Sequence, residues 1–346
     1  LPDGFTGVIQ DSASTATLSA VLTMRERALD WRGVEAGLAA GPRLRIYASG
    51  QNHSSVDKAV RLAGIGQENL VKVATDATWA LDAEALADAI TADRSAGHRP
   101  AGLVLCVGGT SIGASDRLRE AIEVARAEDL YVHVDAAWAG SAMICPELRE
   151  LWDGVEAADS VVFNPHKWLG AQFDCSIQFL RDPEPQVRTL GLRPDYLETL
   201  GQDEVVNLNE WTIPLGRRFR ALKLWFVLRA YGLEGLRERI RNHVAWAREA
   251  ERAVAELPGF RIVTPCHLSL FTFRYDPHAS EASAERATAR LLEAINDDGR
   301  IYLTQTRHEG RFVIRFQVGQ FDTTRDDVRF AVRVLGEIAA SRVARP

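Results

Sequence analysis

Short unbroken apolar runs recur along the first two-thirds of the chain, separated by stretches with helical spacing. Arg43–Ser49 (RLRIYAS), Ala101–Val107 (AGLVLCV), Tyr131–Asp135 (YVHVD) and Ser160–Phe163 (SVVF) read as strands. Between them, His53–Gly64 reads as a helix with serines near its start and glycine at its end. Asp116–Leu130 reads as an amphipathic helix, with Leu118, Ile122 and Ala125 on its apolar face. A strand–helix–strand series of this kind predicts an α/β fold with a mainly parallel central sheet covered by helices. In such sheets ligands bind beyond the carboxyl ends of the strands.

The pattern changes after about Arg220. Phe219–Gly232 and Leu233–Leu257 read as long helices, followed by strands at Phe260–Val263 and Leu268–Tyr275. A helix near Ser283–Asn296, a hairpin over Arg300–Val318 and a last helix near Thr324–Ala340 complete the series. This order predicts a large domain over 1–220 and a small C-terminal α+β domain with an antiparallel sheet over 221–346. Residues 191–211 form a long polar stretch of weak periodicity, which marks either a functional loop or a disordered one.

Composition narrows the function classes. Among 346 residues there are 41 Lys and Arg against 47 Asp and Glu, a net charge of −6. With no basic stripe or polybasic tail, neither nucleic acid nor an anionic membrane is an expected partner. The apolar runs are too short to cross a bilayer, and no signal peptide is evident. The four cysteines are widely spaced without a CxxC pair. That spacing argues against a metal site or a disulfide framework and for a cytoplasmic protein. The chain opens on Leu-Pro-Asp-Gly-Phe rather than methionine, and its numbering is read as starting inside a longer protein.

Candidate chemistry gathers at the predicted strand ends. Asp135 closes one buried strand, and Lys167, in NPHKWLG, follows the next. A carboxylate and a lysine so placed suit pyridoxal 5'-phosphate (PLP). The amine forms a Schiff base with the cofactor aldehyde, and the carboxylate keeps the ring nitrogen protonated. A partly buried Lys–Asp ion pair would read the same way. Ser12, Ala13 and Ser14 lie in a small-residue loop opening into a helix, which suits either a phosphate cradle or an ordinary serine cap. His53 stands at another strand-to-helix junction, where an imidazole could stack on a ring or simply face solvent. Thr110, in GGTSIG, offers a hydroxyl or a turn residue. The glycines there also raise a nucleotide-binding reading, but the spacing fits neither GxGxxG nor a P-loop.

Taken together, GVIQDSASTATL, HSSVDKA, HVDAAWAGSAMICPE, ADSVVFNPHKWLG, FDCS and WTIPLGRRFRALKLWFVLRAYG resemble the group II PLP-dependent amino-acid decarboxylases, and within them those acting on aromatic L-amino acids. The segments occur in the family's order along nearly the whole chain, and NPHKW with the upstream HVDAAWAG is a specific signature. The resemblance implies the PLP-dependent transferase-like fold (fold type I). It implies that Lys167 bonds to the cofactor, Asp135 pairs with its ring nitrogen, His53 stacks on the ring and Ala137 packs against the other face. Ala13, Ser14, Asn164 and His166 would hold the phosphate, and Thr110 would lie near the ring. Tyr196 would sit on a mobile catalytic loop, 191–211, and protonate the substrate α-carbon after CO2 leaves. Retention of both His53 and Tyr196 implies simple decarboxylation of an aromatic L-amino acid rather than aldehyde synthesis. An aldehyde synthase and an acidic amino-acid decarboxylase of the same fold stay as alternatives.

The resemblance further implies a homodimer, with the Tyr196 loop reaching toward the neighbouring subunit. Two departures stand out in the matching segments. Asp11 occupies a position where many relatives carry glycine beside the phosphate serines, and Trp138 replaces a common tyrosine. The family's N-terminal segment has no counterpart in the sequence, so a separate or cleaved chain is expected to supply it.

Overall fold

In a computed structural model, the structure describes residues 1, 3–39, 41–192, 205–277 and 281–343. The chain begins with strand β1 (Thr6–Gln10) and helix α1 (Ala13–Ala28), then α2 (Arg32–Ala36), β2 (Leu44–Ser49), α3 (Ser55–Leu62), β3 (Leu70–Val73) and α4 (Ala83–Ser95). It continues through β4 (Arg99–Cys106), α5 (Leu118–Ala127), β5 (Tyr131–Asp135), β6 (Ser160–Phe163), β7 (Ser176–Leu180) and α6 (Glu184–Leu190). The remainder comprises α7 (Ala221–Ala255), β8 (Phe260–His267), β9 (Leu270–Tyr275), α8 (Glu281–Asp298), β10 (Thr304–His308), β11 (Arg311–Gln317) and α9 (Arg325–Ile338).

Two units emerge from the contacts. The first holds residues 1–107 and 115–230, the second 108–114 and 231–346. The first contains a seven-stranded sheet of order β1-β7-β6-β5-β4-β2-β3. Pairing is parallel from β3 through β6, while β7 runs antiparallel to both β6 and β1. The continuous apolar character of β4 follows from burial on both faces. Val104 joins the core made by Ala20, Val21 and Met24 of α1 with Val56 and Val60 of α3. Leu103 and Leu105 are also fully buried, and alternate residues of a strand point to opposite faces.

The second unit carries a four-stranded antiparallel sheet, β10-β11-β9-β8, around Phe271, Phe273 and Phe316 with Leu291, Ile295 and Leu335. The two long helices expected on either side of Gly232 are both present within α7 and meet where Gly232 adopts φ 62° and ψ 176°. A side chain disfavours that conformation, so glycine marks the break. No helix among the described residues is long and apolar enough to cross a membrane.

Candidate active site

Asp135 ends β5 between Cys106 of β4 and Val162 of β6, which stand at its register. Those neighbours leave it 6% exposed. Its Oδ1 accepts the Ala137 N–H at 3.0 Å. Burial raises its pKa, and the charges of Lys167 and His53 oppose the rise. Lys167 lies in the turn that follows the adjacent parallel strand β6. Its N–H donates to the Asn164 carbonyl at 2.9 Å, and Ala171 N–H closes the turn on Pro165 at 3.0 Å. The Lys167 side chain keeps accessible surface, yet the protein around its ammonium lowers its pKa by desolvation, against the pull of Asp135. Gly140 permits the segment after Asp135 to lie on β6, since a Cβ there would collide with Phe163.

His53 sits between β2 and α3 with its ring exposed. Its Nδ1 accepts the Ser55 N–H at 3.1 Å and lies 2.9 Å from the Ser55 hydroxyl. With Nδ1 acting as acceptor, the hydrogen-bond pattern assigns the proton of the neutral ring to Nε2.

A second group of residues gathers hydrogen-bond donors of a kind that suits an anion. Ser12 is extended and caps α1 by accepting the Thr15 N–H at 3.2 Å. Ala13 and Ser14 begin the helix, where N–H groups have no partner within the helix, and the first turn carries no acidic residue. Asn164 is 3% exposed. Its N–H donates to the Ala137 carbonyl at 2.7 Å and its Oδ1 accepts the Ser176 hydroxyl at 2.6 Å, which turns its NH2 group to other acceptors. The Cys175 N–H donates to His166 Nδ1 at 2.9 Å, so the His166 ring is a donor through Nε2. Burial and the nearby Lys167 charge lower the His166 pKa and keep the ring neutral. Ala137 packs with Ala13, Ala16 and Val162.

The structure therefore brings Ala13, Asp135, Ala137, Asn164, His166, Lys167 and His53 into one connected set, with Ser14 next along α1. Thr110 is an exposed turn residue in the 108–114 segment that groups with the second unit. Tyr196, and most of the 191–211 loop, lie outside the described residues. Four supporting residues were not singled out from sequence. Ser55 fixes His53, Ser176 fixes Asn164, and the Cys175 backbone fixes His166. Arg220 pairs with Asp174 at 2.9 Å. A serine two residues after a histidine at a helix start was a readable signal. The other three partners are distant in sequence.

These groups fit PLP. A desolvated lysine and a buried carboxylate stand at neighbouring strand ends, and a helix N-terminus with a buried amide NH2 and an imidazole N–H offers phosphate donors. A profile of the pyridoxal-dependent decarboxylase conserved domain matches residues 2–276. Tyrosine decarboxylase 2 of Narcissus pseudonarcissus is 41% identical over 343 residues, covering 98% of this chain and 68% of that protein. Phenylacetaldehyde synthase of Arabidopsis thaliana is 40% identical over 339 residues, covering 96% and 68%. A crystal structure of Oryza sativa TDC with PLP and tryptamine superposes with a TM-score of 0.94 at 37% identity, covering 99% of this chain and 73% of that one. The chain thus spans about two-thirds to three-quarters of the length of these relatives, and over that span the family profile, the sequence identity and the fold agree: it belongs to the pyridoxal-dependent decarboxylase family.

Proposed function

We propose that this protein decarboxylates an aromatic L-amino acid to the corresponding amine and CO2, using PLP. The observation that carries the reading is the buried Asp135 carboxylate at the end of β5 with Lys167 in the turn after the adjacent strand β6, each group's charge opposing the shift that burial imposes on the other. Relatives named for tyrosine and for tryptamine-bound TDC support the aromatic class.

Bound at this site, PLP supplies an aldehyde for amine exchange and a ring that accepts the electron pair left as CO2 departs. Lys167, its ammonium destabilised by burial, is suited to give up a proton and would be the residue that holds the cofactor through its aldehyde. Asp135 holds a proton at the ring nitrogen, where its buried negative charge finds a partner. His53, oriented by Ser55, presents its Nε2–H side to the site. Ala13, Ser14, Asn164 and His166 orient the phosphate. Tyr196 would deliver the proton to the substrate α-carbon, and Lys167 would hold the cofactor again once the amine has left.

The family resemblance puts the substrate's ring near Gly216, where a Cβ would meet nothing within 4 Å. Tyrosine, tryptophan, DOPA and phenylalanine are all accommodated by this reading. Phe219, Trp225 and Phe226, 78%, 53% and 56% exposed, support a homodimer or a further segment packed on α7. Four free cysteines support a reducing, cytoplasmic setting.

Incubation of the native protein with PLP and a mixture of aromatic amino acids, followed by mass spectrometry, tests the reaction. A single amine without aldehyde or peroxide is the expected product. An aldehyde with peroxide and ammonia would favour the synthase chemistry for which the Arabidopsis relative is named. No turnover of any aromatic amino acid would refute the substrate class.

A further inference from the structure

The carboxylate of Asp11 sits where a dianionic phosphate is expected, and the structure shows what offsets it. Gln10 and Ser176 are register partners on the antiparallel strands β1 and β7, so Asp11 and Asp174 emerge at the same end of adjacent strands. Each adjoins a proposed phosphate group: Asp11 precedes the Ser12 cap of α1, and Asp174 precedes Cys175, whose N–H orients His166. Two carboxylates so placed oppose a phosphate.

The segment just before and at the start of α7 lies across both. Arg217 donates through Nη2 to the Ile9 carbonyl of β1. Arg220 grips Asp174 with Nε to Oδ1 at 2.9 Å and Nη2 to Oδ2 at 3.4 Å, and Lys223 Nζ lies 3.9 Å from the same Oδ1. The Arg220 and Asp174 side chains are 12% and 23% exposed, so their attraction is screened less than that of a surface pair. The Arg220 guanidinium also responds to Asp11: its pKa rises first through the Asp174 hydrogen bond and then through both carboxylate charges.

We propose that Arg220 is the charge-balancing residue of the phosphate site, pairing with the Asp174 carboxylate just before β7 and offsetting the nearby Asp11 charge just after β1, so that a phosphate dianion binds beside them. With Lys223 and Arg217 on the same segment, three cations offset the two carboxylates, and the phosphate meets a rim that does not repel it. Arg220 acts through its neighbours and is a positioning residue, not a catalytic one. The inference rests on the PLP reading of the site.

The test compares PLP with pyridoxal, which has the same ring and aldehyde but no phosphate. Apo full-length protein is titrated with each, and binding is read by absorbance and by quenching of tryptophan fluorescence. Arg220→Gln is expected to weaken PLP about tenfold or more while changing pyridoxal little. Asp11→Asn in the Arg220→Gln background is expected to restore part of that loss, and Arg220→Lys to retain much of the PLP preference. Equal losses for both ligands, or no rescue by Asp11→Asn, would overturn the proposal and leave Arg220 a general structural residue. Should Arg220→Gln fail to fold, Asp11→Asn alone decides: selective tightening of PLP over pyridoxal supports the proposal, and an unchanged ratio defeats it. A wild-type protein that binds no PLP would sink the cofactor reading and this inference together, whereas wild-type binding with unaltered variants sinks this inference alone.

Discussion

Ser55 and the Cys175 backbone each occupy the Nδ1 of an imidazole, and so both His53 and His166 present Nε2–H as their working face. The same logic makes Asp135 and Lys167 separable by mutation. Lys167→Ala is expected to abolish borohydride-fixable attachment of PLP and all turnover, read by peptide mass spectrometry of the reduced protein. Asp135→Asn is expected to keep that attachment but lower kcat by about a hundredfold or more, because a carboxamide does not hold the proton at the ring nitrogen. Loss of both attachment and rate in Asp135→Asn would instead assign the carboxylate to binding. Most of this residue-level chemistry was legible, since Asp135, Lys167, His53 and Ala13 each follow a readable strand or loop. The countercharge of Asp11 was not. Arg220 lies far along the chain, and only the pairing of β1 with β7 brings the two ends together.

Among the elements, legibility tracked the apolar pattern. β5 and β6 have the bounds expected from YVHVD and SVVF because nearly every residue in them is buried. Strands β1 and β7 gave no such signal, because glutamines interrupt them. Gln10 and Gln178 are nonetheless buried, joined Nε2 to Oε1 at 3.0 Å, and Gln178 pairs in turn with buried Gln186 of α6 at 2.9 and 3.1 Å. A satisfied polar network reads as surface in sequence while serving as core in the fold. At the last helix, Thr324 and Asp327 form a reciprocal capping box on α9. Thr324→Ala is expected to cost about 1 kcal/mol in urea denaturation, with activity unchanged in stabilising buffer. On α7, the exposed Trp225 and Phe226 meet edge to ring at 5.2 Å. Trp225→Glu with Phe226→Glu is expected to halve the mass seen by light scattering while leaving the helical circular dichroism intact. An unchanged mass would remove this face from the proposed subunit contact.

For the whole molecule, each unit contains a buried histidine that resists protonation. Burial lowers the pKa of His133 to about 3, and burial with the Arg239 charge lowers that of His243 to about 4. An unfolded chain takes up these protons near 6.5, before the folded one does. Stability is therefore unaffected by them above about 6.5 and falls as pH drops through the window between that value and the folded pKa. The slope contributed by each is at most about 1.4 kcal/mol per pH unit. Denaturant titrations from pH 7 to pH 4.5 should show this decline, and His133→Gln should flatten it; an unaltered slope would exclude His133 as a source. The sheet order carries one more consequence. Among the described strands β1 lies at an edge with β7 as its strand neighbour, so it has no place in the sheet until Leu180 has left the ribosome. The amino-terminal end of α1, proposed to meet the phosphate, therefore waits on most of the first unit, and a nascent chain halted before β7 would carry its lysine and carboxylate without the proposed phosphate seat.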